Sequence, residues 1–437
     1  MTIDRRNFIA ASAALVGAPA LAKAASIASG RAFPKDFLWG VATAGHQVEG
    51  NNINSDCWVM ENVKPTVFAE PSRDAANSFA LWQTDLDLAK GLGLNTYRFS
   101  LEWARIEPEQ GLFSAAMLDH YKAIIEGCRA RGLTPMVTFN HYTAPRWFAA
   151  AGGWTNSESP TLFARFCDRA TRHLGAQIGY ATTLNEPNIV SLLRVVLPAQ
   201  IFEAQRAMLQ AAARATASQK FVGGNAVNPE DIDAVTANLV AGHKAGRAAI
   251  KMVRPDLPVG VSLAMFDDQA TGPHSIRDAM RAKLYQPWLE VVRGDDFLGV
   301  QNYERQVWNS EGKVPAPAGV EVNYMGSEVY PPSLAGAVRY AYQATKVPII
   351  VSEHGVGTTD DQVRARLIPA ALAELKTAME EGVPVKGYCH WSLIDNFEWI
   401  FGYKVKFGLH SVDPVTFVRA PKPSAAIYGA IARRNAL

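Results

Sequence analysis

The sequence predicts an α/β protein, a single (β/α)8 TIM barrel with its active site at the carboxyl ends of the strands. Short apolar stretches alternate eight times with amphipathic helical patterns along the chain. Several of these stretches are apolar throughout, which is typical of parallel strands buried on both faces. Polar residues gather where the strands end. With 437 residues, 48% of them hydrophobic, the chain can form the large core of such a domain.

Two of the apolar stretches end in a glutamate. One runs from Val347 through three β-branched residues to Glu353, and the other runs from Gly179 to Glu186. Burying an isolated carboxylate is costly, so each side chain needs partners at the mouth of its strand. We interpret the two glutamates as opposite walls of one cleft, which we take to be the active site.

The strands and helices follow from the two hydrophobic periods along the chain. The predicted strands are Phe37–Gly45, Thr96–Trp103, Thr134–His141, Gly179–Glu186, Val259–Met265, Asp296–Tyr303, Val347–Glu353 and Val385–Leu393. The predicted helices are Asp74–Leu92, Ala115–Arg131, Ser159–Leu174, Pro229–Val253, Ser275–Val292, Ser333–Thr345, Asp360–Glu381 and Lys422–Arg433. A further helix, Ala199–Thr216, is expected in the long loop after the fourth strand.

The N-terminus is typical of a processing signal. Asp4-Arg5-Arg6-Asn7-Phe8-Ile9 is similar to a twin-arginine motif, and an apolar stretch and Ala22-Lys23-Ala24 follow it. We therefore expect a signal peptide over 1–24, a linker over 25–32 and one barrel domain over 33–437. This predicts export to the periplasm or the medium, with no membrane attachment beyond the export step.

Composition argues against several classes of partner. The net charge is +2, and Lys and Arg form no dense block, so we expect no nucleic-acid partner. Cys57, Cys128, Cys167 and Cys389 lie far apart and are expected to be buried free thiols. The sequence contains no metal-ligand spacing and no nucleotide-binding loop, so we expect no metal and no cofactor. A small molecule is the expected partner.

Polar residues follow seven of the eight predicted strands, and a barrel brings these strand ends to one pocket. The residues are Gln47 in His46-Gln47-Val48-Glu49, Arg98, His141, Asn185 with Glu186, Tyr303, Glu353, and Trp391 with Asp395-Asn396-Phe397-Glu398-Trp399.

These motifs resemble glycoside hydrolase family 1, the β-glucosidase family. The similarity begins at Phe33-Pro34-Lys35-Asp36-Phe37-Leu38-Trp39-Gly40 and includes Thr183-Leu184-Asn185-Glu186-Pro187. It continues through Ile350-Val351-Ser352-Glu353-His354-Gly355 and Asp395-Asn396-Phe397-Glu398-Trp399, and it extends from about residue 33 to 433. The resemblance implies a retaining β-glycosidase that removes a terminal β-D-glucosyl residue through a covalent glycosyl-enzyme.

The resemblance also implies roles for individual residues. Glu353 is the expected nucleophile and Glu186 the expected acid/base, while Arg98 and Tyr303 hold the nucleophile. The residues expected to bind the sugar are Gln47, His141, Asn185, Glu398 and Trp399, with Trp391 beneath the ring. A carboxylate at Glu398 would repel phosphate, so an unphosphorylated sugar is expected.

Some positions depart from the family pattern. His354 stands where the family usually has Asn, Asn188 follows the Glu-Pro pair, and Gln301-Asn302-Tyr303 replaces the usual Asn-Tyr-Tyr. The chain is also short for the family. We associate these changes with the leaving-group side of the site rather than with the sugar side. Short loops at the entrance suggest an open cleft and a bulky leaving group. Three alternatives stay open at this point: preference for a galactoside or fucoside, transglycosylation by the same scaffold, and a catalytically inactive sugar-binding protein.

Overall fold

A computed structural model describes residues 32–437 and contains the predicted closed barrel. The barrel has eight parallel strands. It closes where the last strand pairs with the first, from Leu38 opposite Gly387 to Ala42 opposite Trp391. The strands are β1 (Leu38–Ala42), β2 (Thr96–Ser100), β3 (Thr134–Asn140), β4 (Tyr180–Asn185), β5 (Val259–Ala264), β6 (Phe297–Asn302), β7 (Ile349–His354) and β8 (Val385–Trp391). The expected signal peptide, and all but the last residue of the expected linker, lie outside the described residues.

A helix follows each strand and packs on the outside of the barrel. The eight are α1 (Ser78–Gly91), α2 (Ala115–Ala130), α3 (Ser159–Leu174), α4 (Ile232–Val253), α5 (Arg277–Val292), α6 (Ser333–Thr345), α7 (Asp361–Glu380) and α8 (Pro423–Arg434). Their apolar faces pack with strand residues in one large core. A second, smaller cluster contains other strand residues, among them Met136, Phe297 and Ile350. No helix in this part of the chain combines the length and apolar character needed to cross a membrane.

Strands β1 and β2 each end three residues before the predicted limit, and short helices begin at Gly45 and Trp103 instead. Two other predicted boundaries were wrong for a backbone reason. The first helix was expected from Asp74 but begins at Ser78, because Ala75 and Asn77 have φ values of 49° and 52°. The fourth strand was expected to include Glu186 but ends at Asn185, because Glu186 has a φ of 41°. These left-handed conformations interrupt both helix and strand geometry.

The loops at the carboxyl ends of the strands carry further structure. The predicted helix in the loop after β4 is present as Ala199–Ala215. Other short helices are Gly45–Val48, Asp56–Asn62, Trp103–Ile106, Arg146–Ala150 and Ile189–Val196. Short strands outside the barrel are Asp267–Ala270, Arg305–Trp308, Lys313–Val314, His410–Val412 and Arg419–Pro421. All four cysteines are buried free thiols, as predicted.

Candidate active site

Glu353 is held by two donors at the carboxyl end of β7. Arg98 on β2 donates from Nη1 to Oε1 at 2.5 Å, and the Tyr303 hydroxyl donates to Oε2 at 2.6 Å. Glu353 and Arg98 are 3% and 0% exposed, so solvent screens this ion pair little. Arg98 and Tyr303 thus fix the Glu353 carboxylate in one orientation.

Burial and hydrogen bonding act on Glu353 in opposite directions. Removal from water is the larger effect and raises the pKa of its carboxyl above the usual value, whereas the Arg98 charge and the Tyr303 hydrogen bond lower it and limit this rise. The two donors favour the charged form of Glu353, as the sequence predicted for Arg98.

Glu186 lies on the same cleft as Glu353 but has a different environment. Its left-handed backbone and the following Pro187 end β4. The Tyr142 hydroxyl donates to its Oε2, and no arginine or lysine is bonded to it among the described residues. Burial, and then the nearby charge of Glu353, raise the pKa of Glu186 to about 8. Glu186 is therefore the carboxyl of the pair that keeps a proton near neutral pH.

Asn185 connects the two walls of the cleft from behind. Its Oδ1 accepts from Arg98 Nη2 at 2.5 Å and from Gln301 Nε2 at 2.8 Å. These bonds fix the amide orientation, so Nδ2 is a donor and lies 3.1 Å from His141 Nε2. The proton of the neutral His141 ring is consequently on Nδ1.

Buried polar atoms without protein partners mark the inner end of the cleft. Gln47 Oε1, His141 Nδ1 and Gln301 Oε1 have no hydrogen-bond partner, although all three residues line the cleft. Buried polar groups are normally paired, so these atoms indicate a polar ligand. Gln47 Nε2 also donates to Glu398 Oε2 at 3.3 Å, and burial raises the pKa of Glu398 to about 8.

Aromatic rings form the apolar surface of this same end. His141 stacks against Trp391 and Trp399, with centroids 5.8 Å and 6.2 Å apart. Burial, together with the nearby charge of Arg98, lowers the pKa of His141 well below its usual value, so the ring is neutral. Aromatic faces beside hydrogen-bonding groups suit a sugar, which presents C–H faces and hydroxyls.

The structure brings the ten predicted site residues together. Eight of them line the cleft, and the other two are bonded to lining residues, Arg98 to Glu353 and Asn185 to His141. Tyr142 and Gln301 also belong to the site, but no role was predicted for either. The signal for Tyr142 was its place beside His141 at the end of β3.

Two departures from the family pattern face the scaffold, although we had associated them with the leaving group. His354 Nδ1 lies 2.9 Å from the Tyr388 hydroxyl, and burial lowers the His354 pKa to about 3. Asn188 bonds both backbone groups of Ala264, with Nδ2 donating to its oxygen at 2.8 Å and Oδ1 accepting at 3.1 Å. His354 thus links β7 to β8, and Asn188 holds the segment after β4 to the end of β5.

One group of possible metal ligands lies behind the sugar end in the described chain: His46, Cys57 and Glu61, with donor atoms within 4.8 Å of one another. His46 Nε2 is 3.5 Å from Glu61 Oε2, and Ser72 donates to Glu61 at 2.6 Å. The His46 ring stacks on Trp399 at 5.9 Å. Through this stack, His46 supports the tryptophan from behind.

A (β/α)8 barrel with two buried carboxyls on a cleft of aromatic rings and unpaired amides defines a glycoside hydrolase. The sequence model of glycosyl hydrolase family 1 matches residues 29–226 and 296–437. The chain belongs to this family.

Named relatives, two of them of known structure, are similar to this chain over most of its length. A β-glucosidase from Agrobacterium sp. is 28% identical over 467 residues, covering 92% of this chain and 95% of its own. The apo structure of β-glucosidase 1317 has 40% identity and a TM-score of 0.88, covering 91% and 98% of the two chains. The β-glycosidase BGL167 has 46% identity and a TM-score of 0.87, covering 93% and 98%.

Proposed function

We propose that the enzyme is a retaining β-glycosidase that removes the terminal β-D-glucosyl residue of unphosphorylated β-glucosides. The observation that carries this proposal is the unequal environment of the two carboxyls. Glu353 has Arg98 and Tyr303 as donors, while Glu186 has Tyr142 and a pKa raised to about 8. One carboxyl is suited to attack and the other to donate a proton.

In the first half of the reaction, Glu353 attacks the anomeric carbon. The bond from that carbon to the leaving oxygen breaks, and Glu186 gives its proton to this oxygen. The product is an ester between Glu353 and the sugar. Asn185 is braced by Arg98, and we assign its amide N–H to the sugar 2-hydroxyl.

In the second half, Glu186 acts as a base. Its pKa was raised in part by the Glu353 charge, and that charge is absent from the ester. The pKa of Glu186 consequently falls, and the carboxylate takes a proton from an attacking water. Attack at the anomeric carbon releases the sugar with its original β configuration and regenerates Glu353.

The charges of the residues that line the cleft favour an unphosphorylated sugar. Among the described residues that line the cleft, none is Lys or Arg, whereas Glu186, Glu353 and Glu398 all line it. We assign Gln47 and Glu398 to the outer hydroxyls of the sugar. The relatives named β-glucosidase support glucose as this sugar.

The stereochemistry of the first product tests the proposal. We expect proton NMR of an aryl β-glucoside digest to show β-glucose first, followed by slow mutarotation. Addition of methanol is expected to give methyl β-glucoside beside glucose, and the ratio measures transfer against hydrolysis. Release of α-glucose first would rule out the double displacement.

Removing the Tyr142 hydroxyl is expected to move the alkaline limb of kcat/KM upward. This O–H donates to Glu186 and stabilises the carboxylate, so it lowers the pKa of Glu186. Activity needs protonated Glu186 and is lost as pH rises through that pKa. Tyr142→Phe should therefore shift this limb by about one pH unit upward.

The matched control is Tyr180→Phe, at the opposite end of the barrel, where the ring packs on Phe297. Its pH profile should equal that of the wild type. An unchanged or lowered alkaline limb in Tyr142→Phe would show that the hydroxyl does not act on Glu186.

We further propose that residues 1–24 direct export, on the basis of Arg5-Arg6 and the apolar stretch that follows. Periplasmic activity in cell fractions should disappear when both arginines are replaced by lysine. Equal export of both forms would contradict a twin-arginine route.

A further inference from the structure

Beyond the sugar end, the cleft has a second half whose surface is apolar. The helix Ile189–Val196 begins three residues after Glu186 and forms one wall. Ile189, Leu193 and Val196 lie at i, i+4 and i+7, so they share one face of this helix, and all three line the cleft. Each is half-buried, while Leu192 is 2% exposed and packs into the core.

Another part of the lining is a chain of aromatic contacts that starts beside Glu353. Tyr303, which bonds Glu353, lies 5.7 Å from Phe407, and Phe407 lies 5.8 Å from Tyr324. Tyr324 in turn contacts Phe401 at 5.2 Å and is 40% exposed. An apolar surface that stays open to solvent inside a cleft marks a ligand site.

The lining of the cleft extends beyond the sugar end. It includes Gln47 and Trp391 at the sugar end, Leu193 and Val196 on the helix, and Tyr324 among the aromatic residues. The residues outside the sugar end therefore belong to the same cleft and form its apolar half.

This apolar half lies on the leaving-group side. Glu186 delivers its proton to the leaving oxygen, so the segment that follows Glu186 flanks the group attached to that oxygen. A second sugar there would need partners for its hydroxyls. Outside the sugar end, two amides and a carboxylate are already engaged: Gln205 donates to Val227, Asn323 accepts from Met325 and Ser327, and Glu304 accepts from Gln306. Asn225 also lines this part of the cleft, and it is the amide there that a second sugar could bond.

We propose that this half binds a large apolar aglycone, so that the natural substrate is the β-glucoside of an apolar alcohol or phenol rather than a cello-oligosaccharide. The inference rests on the proposed function, because it assigns the leaving group of that same reaction. Leu193 and Val196 are its specificity-determining residues. Burial of the aglycone against them removes apolar surface from water on binding.

Alkyl β-glucosides of increasing length test this proposal, because the acidity of the leaving alcohol changes little beyond ethanol. We expect kcat/KM to rise about threefold per buried methylene. Octyl glucoside has five more methylenes than propyl glucoside, so it should exceed propyl glucoside about 30-fold if three of them are buried and about 240-fold if all five are. Cellobiose should be a poorer substrate than octyl glucoside. A flat series, with cellobiose preferred, would overturn the proposal.

Substitutions on the helix Ile189–Val196 test whether the preference for long alkyl chains arises there. Leu193→Gln should lower the octyl-to-propyl ratio about tenfold, and Val196→Thr, which keeps the side-chain shape, should lower it about threefold. The control Leu112→Gln changes a leucine that is 67% exposed on the surface and should keep the wild-type ratio. Wild-type ratios in both helix variants would overturn the assignment.

An activated substrate separates this proposal from the proposed function. 2,4-Dinitrophenyl β-glucoside needs neither a proton from Glu186 nor a long aglycone. Hydrolysis of this substrate together with a flat alkyl series would overturn the apolar site alone. Failure to hydrolyse it would overturn the proposed function, and the inference with it.

Discussion

Glu353→Ala is expected to lower kcat on aryl β-glucosides by a factor on the order of 10⁴ or more. The variant has no group to form the covalent intermediate, and Arg98 and Tyr303 are left without the carboxylate that they hold. Initial rates on 2,4-dinitrophenyl β-glucoside measure the loss. A rate near that of the wild type would contradict the assignment of the nucleophile.

Azide makes this test more specific. Replacing Glu353 by alanine leaves a space beside the anomeric carbon, and azide entering it should attack directly and give α-glucosyl azide. The control Glu321→Ala removes an exposed carboxylate that pairs with Arg366 at 2.9 Å, and it should keep wild-type activity. An inactive wild-type enzyme would instead favour a sugar-binding protein.

Glu186→Ala is expected to show a loss that depends on the leaving group. An alkoxide leaves poorly without a proton, so alkyl glucosides should lose about 10²–10⁴-fold in kcat/KM. Dinitrophenolate needs no proton, so kcat/KM for 2,4-dinitrophenyl β-glucoside should change much less. The general-base step is also impaired, and the covalent intermediate should accumulate with a lowered KM.

The azide product distinguishes the two glutamates. In Glu186→Ala, azide should attack the completed ester at Glu353 and give β-glucosyl azide, with a rise in kcat. Comparison of the two azides by NMR therefore assigns both roles in one experiment. An equal loss on alkyl and dinitrophenyl substrates, without azide rescue, would contradict the acid/base role of Glu186.

The positions of the eight strands along the chain could be predicted from the sequence, because a buried parallel strand is apolar on both faces. The eight strands and the cleft at their carboxyl ends follow from that pattern and from the polar residues at the strand ends. The limits of β4 and α1 could not be predicted, because they depend on left-handed backbone at Glu186, Ala75 and Asn77. Such conformations are uncommon for these residue types and leave little local signal.

The hydrogen-bond partners of the candidate site residues were harder to predict than the place of those residues in the cleft. Tyr142 reaches Glu186, and Gln301 braces Asn185, through contacts between different strands. A tyrosine or glutamine at a strand end has many uses, and only the fold decides which neighbour it meets. For His354 and Asn188 the sequence was misleading in the opposite way. Both were expected to affect the leaving-group side, but both are hydrogen-bonded to strand residues of the barrel.

The entire scheme depends on a sugar ester at one particular side chain. Incubation with 2,4-dinitrophenyl 2-deoxy-2-fluoro-β-glucoside, followed by proteolysis and mass spectrometry, detects such an ester because the fluorine slows its hydrolysis. We expect one fluoroglucosyl group per chain, on the peptide that carries Glu353, with activity lost in step. Labelling at another residue, or an enzyme that is inactivated without labelling, would contradict the mechanism.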